Sequence, residues 1–207
     1  MQITSYRKEL YRKTIHLSSL WIPAAVWCLD KVQALWFLAL GLFLVVLFEI
    51  FRRNDGRFGQ FLNKLFKDVL RQSESGKHGA LTGALYMFIA SLVVTATMQR
   101  TIAVTALSVL IVSDSLAALI GKKFGKIRIG TKSLEGSVAF FISAVIIVIF
   151  FAYIDHNMSW KFIVAGIIAS LITTIVELYA TKLKIDDNLL IPLIFAMLQS
   201  GVFLTFC

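Results

Sequence analysis

Seven long apolar runs, at residues 14–29, 32–51, 80–98, 102–120, 134–154, 160–180 and 189–206, leave this chain very few architectures. A helix needs about 20 mostly apolar residues to cross a bilayer, and these runs nearly exhaust the 207 residues. Outer-membrane strands would be segments of about ten residues with alternating polarity. Unbroken runs instead suit helices, which satisfy their backbone hydrogen bonds within one segment. With 58% hydrophobic residues and a mean hydropathy of +0.80, too little polar surface remains for a water-soluble domain. The predicted fold is all-α: a single polytopic transmembrane helical bundle over 1–207, with about seven spans.

The formal net charge of +9 could suit a nucleic acid, but its placement points to the bilayer. Lys and Arg collect in the N-terminal tail, in 52–77, in 122–132 and at Lys182 and Lys184, which leaves only Lys31, Arg100 and Lys161 for the alternate loops. The positive-inside rule then predicts a cytoplasmic N-terminus and an external C-terminus. Anionic headgroups account for the basic excess without a nucleic-acid partner. The first run follows basic residues and holds Pro23, Ala24 and Ala25, as a signal peptide could, but no clear A-x-A site follows and the run is expected to be retained. Cys28 and Cys207 are too few for a disulfide framework or a zinc site and are expected to be inert thiols. Between the second and third runs, Phe58, Phe61, Leu62, Leu65, Phe66, Val69 and Leu70 recur at helical spacing among charges, predicting an amphipathic interfacial helix over about 57–72.

Acidic residues inside apolar runs cost a few kcal/mol each on insertion scales and need a reason. Five stand out: Glu49, Asp114, Glu135, Glu177 and Asp187. All fall toward helix ends predicted to be cytoplasmic, so they are expected to converge on one polar site. Asp114 shares a helix face with Ala117, Ala118 and Gly121, a stripe of small residues that also suits close helix packing. A carboxylate at that depth suits Mg²⁺, which takes one or two carboxylates with water and substrate phosphates. The loop that follows, 121–136, combines four glycines with five basic residues and ends in Thr131, Lys132 and Ser133 before the next run. Glycine backbone, lysine charge and a helix N-terminus together suit a phosphate, although the Walker pattern is absent. At the N-terminus, Glu9, Arg12, Lys13 and His16 fall at i, i+3, i+4 and i+7, on one helical face. Glu49 with Arg52 and Arg53 repeats the spacing, where a local ion pair is the simpler reading.

The ordered set Glu9-x-x-Arg12-Lys13-x-x-His16, Glu49-x-x-Arg52, Leu81-Thr82-Gly83-Ala84, Asp114-x-x-Ala117-Ala118-x-x-Gly121-Lys122-x-x-Gly125-Lys126, Lys132-Ser133-x-Glu135-Gly136-Ser137, Glu177 and Asp187-Asn188-x-x-Ile191-Pro192 resembles the polyprenol kinase family. Those membrane enzymes include dolichol kinase, phytol kinase and CTP-dependent diacylglycerol kinase. The resemblance implies transfer of the γ-phosphoryl group of CTP to the hydroxyl of a lipid alcohol, with Mg²⁺ or another divalent cation as cofactor. Under it, Asp114 is expected to hold the metal, with Asp187 a candidate second ligand. Gly121, Lys122, Gly125, Lys126, Lys132, Ser133 and Gly136 are expected to bind the nucleotide, and Glu135 to orient the loop or the metal. Glu49 and His16 are candidates to position or deprotonate the alcohol. Glu9, Arg12, Lys13, Arg52, Glu177 and Asn188 complete the polar site.

The central segment is also similar to that of phosphatidate cytidylyltransferase, which uses CTP to make a CDP-lipid; the terminal Asp-Asn-x-x-Ile-Pro block and the short length favour the kinase. A lipid transporter would need polar groups along a whole path, whereas the outer halves of these runs are almost wholly apolar. The resulting expectation is an integral membrane enzyme, active on the cytoplasmic face, whose partners are CTP, a membrane lipid alcohol and the bilayer.

Overall fold

The computed structural model describes residues 2–54, 56–66, 70, 74, 79–155, 159–183 and 185–205. Ten helices carry these residues: α1 Gln2–Ser18, α2 Trp21–Cys28, α3 Lys31–Arg53, α4 Arg57–Leu65, α5 Gly83–Thr97, α6 Arg100–Ser108, α7 Asp114–Phe124, α8 Leu134–Ile154, α9 Trp160–Leu183 and α10 Asp187–Thr205. A π-helical turn, Val109–Ser113, joins α6 to α7 without a break.

The continuous segment Arg100–Phe124 is the axis of the bundle. Ile102, Ala103, Val104, Ala106, Leu107, Val109, Leu110 and Ile111 are all buried, as expected of a helix apolar all round and wrapped by others. Helices α2, α5, α8 and α10 pack against α6, while α1 and α8 pack against α7. The outer helices turn apolar side chains away from the bundle. Trp36 on α3 is 74% exposed and Ile146 on α8 is 61% exposed, with Leu40, Phe43, Phe150 and Leu171 beside them in character. A surface of this kind matches a hydrocarbon solvent.

Among the described residues five helical segments are long and apolar enough to cross a membrane: Lys31–Arg53, Arg100–Phe124, Leu134–Ile154, Trp160–Ala180 and Asp187–Leu204. Five of the seven predicted runs are thus matched by such helices. The third predicted run forms α5, an apolar helix of only 15 residues. The first is broken at Ser19 and Leu20, where tighter i to i+3 bonds, Ser19 N–H to His16 O at 3.0 Å and Leu20 N–H to Leu17 O at 3.1 Å, end α1. Pro23 supplies the reason. It has no N–H to donate to Ser19, and its ring would clash with that carbonyl in a continuous helix, so the chain restarts with proline in the first turn of α2. Of the predicted amphipathic helix, α4 covers Arg57–Leu65 with Phe66 as its C-cap, while 67–69, 71 and 72 lie outside the described residues, as does Cys207. Cys28 is an exposed free thiol.

Between α7 and α8 the chain forms a two-stranded antiparallel hairpin, β1 Arg128–Ile129 with β2 Lys132–Ser133. Its turn puts Gly130 at φ 64°, the left-handed region that glycine enters without cost. Ser133 then caps α8, its hydroxyl accepting the Gly136 N–H at 3.2 Å.

Candidate active site

The π-helical turn sets the direction of Asp114. A wide turn holds about one residue more than an α turn, so all that follows is rotated by about 100°. Asp114 begins α7 immediately after it, buried and directed at α1. There the Glu9, Arg12, Lys13 and His16 face meets it. Buried Lys13 donates from Nζ to Asp114 Oδ2, and His16 Nε2 stands 3.9 Å from the same oxygen. Arg12 Nη2 donates to Glu9 Oε1 at 2.5 Å, and Lys122 Nζ lies 3.5 Å from Glu9 Oε2. The α1 face is therefore tied to α7 at both ends.

A second cluster closes the opposite side. From β2, Lys132 Nζ donates to Glu177 Oε1 of α9 at 2.5 Å and to Asp187 Oδ2 of α10 at 3.1 Å. Burial works against its charge, but Asp187, Glu177 and Asp114 prevail and raise the Lys132 pKa above the ordinary lysine value.

Two cavities meet at these groups. A polar one of about 350 Å³ is lined by Glu9, Lys122, Lys132, Ser133, Glu177 and Asp187 together with the Ala117, Gly121 and Gly136 backbone region. A largely apolar one of about 360 Å³ runs between α1, α3 and α5, bounded by Ile15, Val45, Phe48, Phe66, Leu70 and Met87. Arg12, Lys13 and Asp114 line both and form the wall between them. Several buried polar atoms of lining residues have no hydrogen-bond partner among the described residues: Arg12 Nε, His16 Nε2, Thr82 Oγ1, Ser137 Oγ and Glu177 Oε2. Orphans of this kind on a cavity wall call for water or ligand.

The structure gathers most of the residues singled out from sequence and separates a few. Asp114, Glu177 and Asp187 converge on the polar cavity with Glu9, Arg12, Lys13, Gly121, Lys122, Lys132, Ser133 and Gly136. His16 and Asn188 line the apolar one. Glu49 and Glu135 line neither, so the five acids do not converge as one set. Glu49 Oε1 accepts from Arg52 Nη2 at 2.7 Å and Arg53 Nε at 2.8 Å, the local ion pair anticipated as the simpler reading. Glu135 Oε1 instead accepts the N–H groups of Lys126 at 2.8 Å and Ile127 at 3.2 Å, which fixes the hairpin on α8. Gly125 and Lys126 also lie outside both cavities.

Three glycines of 121–136, Gly121, Gly125 and Gly136, serve close approach rather than an open phosphate-cradling loop. A Cβ on Gly136 would stand 2.7 Å from the Ala117 carbonyl oxygen and 3.2 Å from Gly121 Cα, and one on Gly125 would stand 2.6 Å from Ser133 Oγ. The small-residue stripe of α7 is thus the seam on which α8 sits. Gly136→Ala is expected to cost about 1–3 kcal/mol by overpacking that seam, read as a lower melting temperature of the detergent-solubilised protein; an unchanged value would mean the seam yields freely.

Glu74 was missed. It is buried, lines the apolar cavity, accepts the Gly83 N–H at 3.2 Å through Oε1 and, through its backbone carbonyl, Arg52 Nη1 at 2.6 Å. Its neighbours in sequence are polar, so it did not stand out as an acid in an apolar run.

No family model matches the chain, and no solved structure matches it significantly. It is 28% identical over 198 residues to an uncharacterized protein of Rickettsia prowazekii, across 95% of this chain and 96% of that protein. It is 32% identical over 195 residues to an uncharacterized protein of Methanocaldococcus jannaschii, across 92% of each. This chain belongs to that archaeal protein's family. A more distant relative is the probable chloroplastic phytol kinase of Triticum aestivum, 27% identical over 201 residues, across 90% of this chain and 65% of the plant protein. The chain is therefore a distant relative of a probable phytol kinase, all-α and rich in helices fit for a membrane.

Proposed function

We propose that this protein is a membrane kinase that transfers the γ-phosphoryl group of CTP to the hydroxyl of a polyprenol-type alcohol or diacylglycerol, with the polar cavity opening to the cytoplasmic face. The observation that carries this reading is the common wall of Arg12, Lys13 and Asp114 between a polar, lysine-bearing cavity and an apolar one. A phosphoryl transfer from a water-soluble nucleotide to a lipid needs such a pair of chambers, meeting where donor and acceptor oxygens align. The likeness to the probable phytol kinase of wheat supports the same class of reaction.

In this reading Lys122, Lys132 and Arg12 neutralise phosphate oxygens, while the N-terminus of α8 near Ser133 and Gly136 presents the positive end of its dipole to the anion. His16 is a candidate to position the alcohol: its Nε2 is buried, lies 3.9 Å from Asp114 and has no hydrogen-bond partner among the described residues. A divalent ion fits the donor set in a limited way. Asp114, Glu177 and Asp187 line one cavity, yet the described residues hold no ready group of three His, Cys, Asp or Glu ligands. That suits Mg²⁺, which needs only one or two carboxylates when phosphates and water complete its shell; Asp114 and Asp187 would hold it, and it would withdraw charge from the transferring phosphoryl group.

Purified protein with Mg²⁺, a C15–C20 prenol or diacylglycerol and CTP labelled at the γ-phosphate is expected to yield labelled lipid monophosphate and CDP. Transfer of an α-phosphate label into a CDP-lipid with release of pyrophosphate would establish the cytidylyltransferase reaction instead. Absence of both products across prenols and diacylglycerols would remove the kinase reading.

A further inference from the structure

Helix α5 starts in an unusual way. Thr82 is its N-cap residue, and a threonine there normally accepts an N–H of the first turn. Here it makes no such bond. Glu74 accepts the Gly83 N–H, and Thr82 Oγ1 is buried on the wall of the apolar cavity without a hydrogen-bond partner among the described residues. A buried hydroxyl left unsatisfied costs about 1–3 kcal/mol, so its retention beside a buried carboxylate points to a ligand.

Glu74 is held for that task from its other side. Its backbone carbonyl receives Nη1 of Arg52, the largest fully buried side chain among the described residues, and Arg52 is in turn fixed by Glu49. Arg53 Nη2 binds the Gly79 carbonyl at 2.9 Å. The Glu49, Arg52 and Arg53 group, which lines neither of these two cavities, thus fastens Glu74 and Gly79 ahead of α5. Asn188 comes to the same place: a Cβ on Gly83 would stand 2.5 Å from its Nδ2.

We infer that Glu74 and Thr82 form the hydroxyl-recognition site of the apolar cavity, for a long-chain primary alcohol whose O–H donates to the Glu74 carboxylate while its oxygen accepts from the Thr82 hydroxyl. A carboxylate can only accept, and a threonine hydroxyl can donate. The pair therefore selects a group that does both, and rejects an ether, which cannot donate. The inference rests on the apolar cavity being the acceptor's chamber but not on any phosphoryl transfer.

The test is binding without nucleotide, using a fluorescent C16 primary alcohol and its methyl ether with the full chain in lipid nanodiscs. The wild type is expected to bind the alcohol about tenfold more tightly than the ether. Glu74→Gln, which keeps an acceptor for the Gly83 N–H, and Thr82→Val, which keeps the shape, are each expected to reduce that preference at least threefold while leaving ether affinity and melting temperature within error. A preference unchanged in both variants overturns the inference and leaves the kinase reading intact. A drop in ether affinity equal to that for the alcohol also overturns it, because the residues then act only on the fold. A hydroxyl preference dependent on Glu74 in a protein that makes no lipid phosphate would uphold the inference and remove the kinase reading.

Discussion

Asp114→Asn is expected to lower phosphoryl transfer by about a thousandfold, the scale seen when one preorganised electrostatic group is removed from a site. Asparagine has the same shape and can still accept from Lys13, so the loss isolates the negative charge. The change also leaves Lys13 buried beside a neutral group, and an uncompensated buried charge is destabilising. Activity and stability must therefore be separated. Lys13→Met combined with Asp114→Leu removes both charges and is expected to restore the melting temperature without restoring activity. Substantial activity in Asp114→Asn, measured as lipid phosphate formed, would take Asp114 out of the site.

Lys132→Met is expected to have the second largest effect, on the fold as well as on turnover. Lys132 is the cation between Glu177 and Asp187, and its loss leaves two carboxylates facing each other. Breaking a buried pair costs about 3–5 kcal/mol; Lys132 and Asp187 keep some solvent contact, so the lower end applies. For a chain of this size that is a melting temperature lowered by roughly 10 °C. The pH dependence has a definite sign. Because the folded Lys132 pKa is raised, its stabilisation is fully present below the unfolded value of about 10.5 and is lost as pH rises through the higher folded value. The melting difference between wild type and Lys132→Met should stay level from about pH 6 to about pH 10. A difference that vanishes between pH 6 and 8 would assign the effect to another group.

The apolar runs and the charges embedded in them carried much of the architecture. Asp114, Glu177 and Asp187 are visible in sequence because a carboxylate in an apolar helix is expensive, and Glu9, Arg12, Lys13 and His16 because their spacing puts them on one face. What spacing cannot give is the partner of a face. Glu49 obeys the same rule as Asp114 yet is consumed by its own helix through Arg52 and Arg53. The glycines after Asp114 have two physical uses, approach of an anion and approach of a helix, and Gly121, Gly125 and Gly136 take the second. The break at Ser19 was legible in Pro23, whose missing N–H matters more than its size. The π-helical turn had no signal in Val109-Leu110-Ile111-Val112, four apolar residues that fit an α turn equally well. Glu74 was hidden because a charged residue among charged residues is unremarked until the fold buries it.

The wide turn at Val109–Ser113 has a consequence for how the two ends of the axial helix can change over time. It puts them out of phase. The α6 half is fitted to α2, α5, α8 and α10 in an apolar interior, and the α7 half must offer its carboxylate to α1 and its small residues to α8. In one uninterrupted α-helix a single angular setting would have to satisfy both demands. The extra residue gives each half its own setting, so packing in the interior can drift by substitution while the orientation of Asp114 stays fixed.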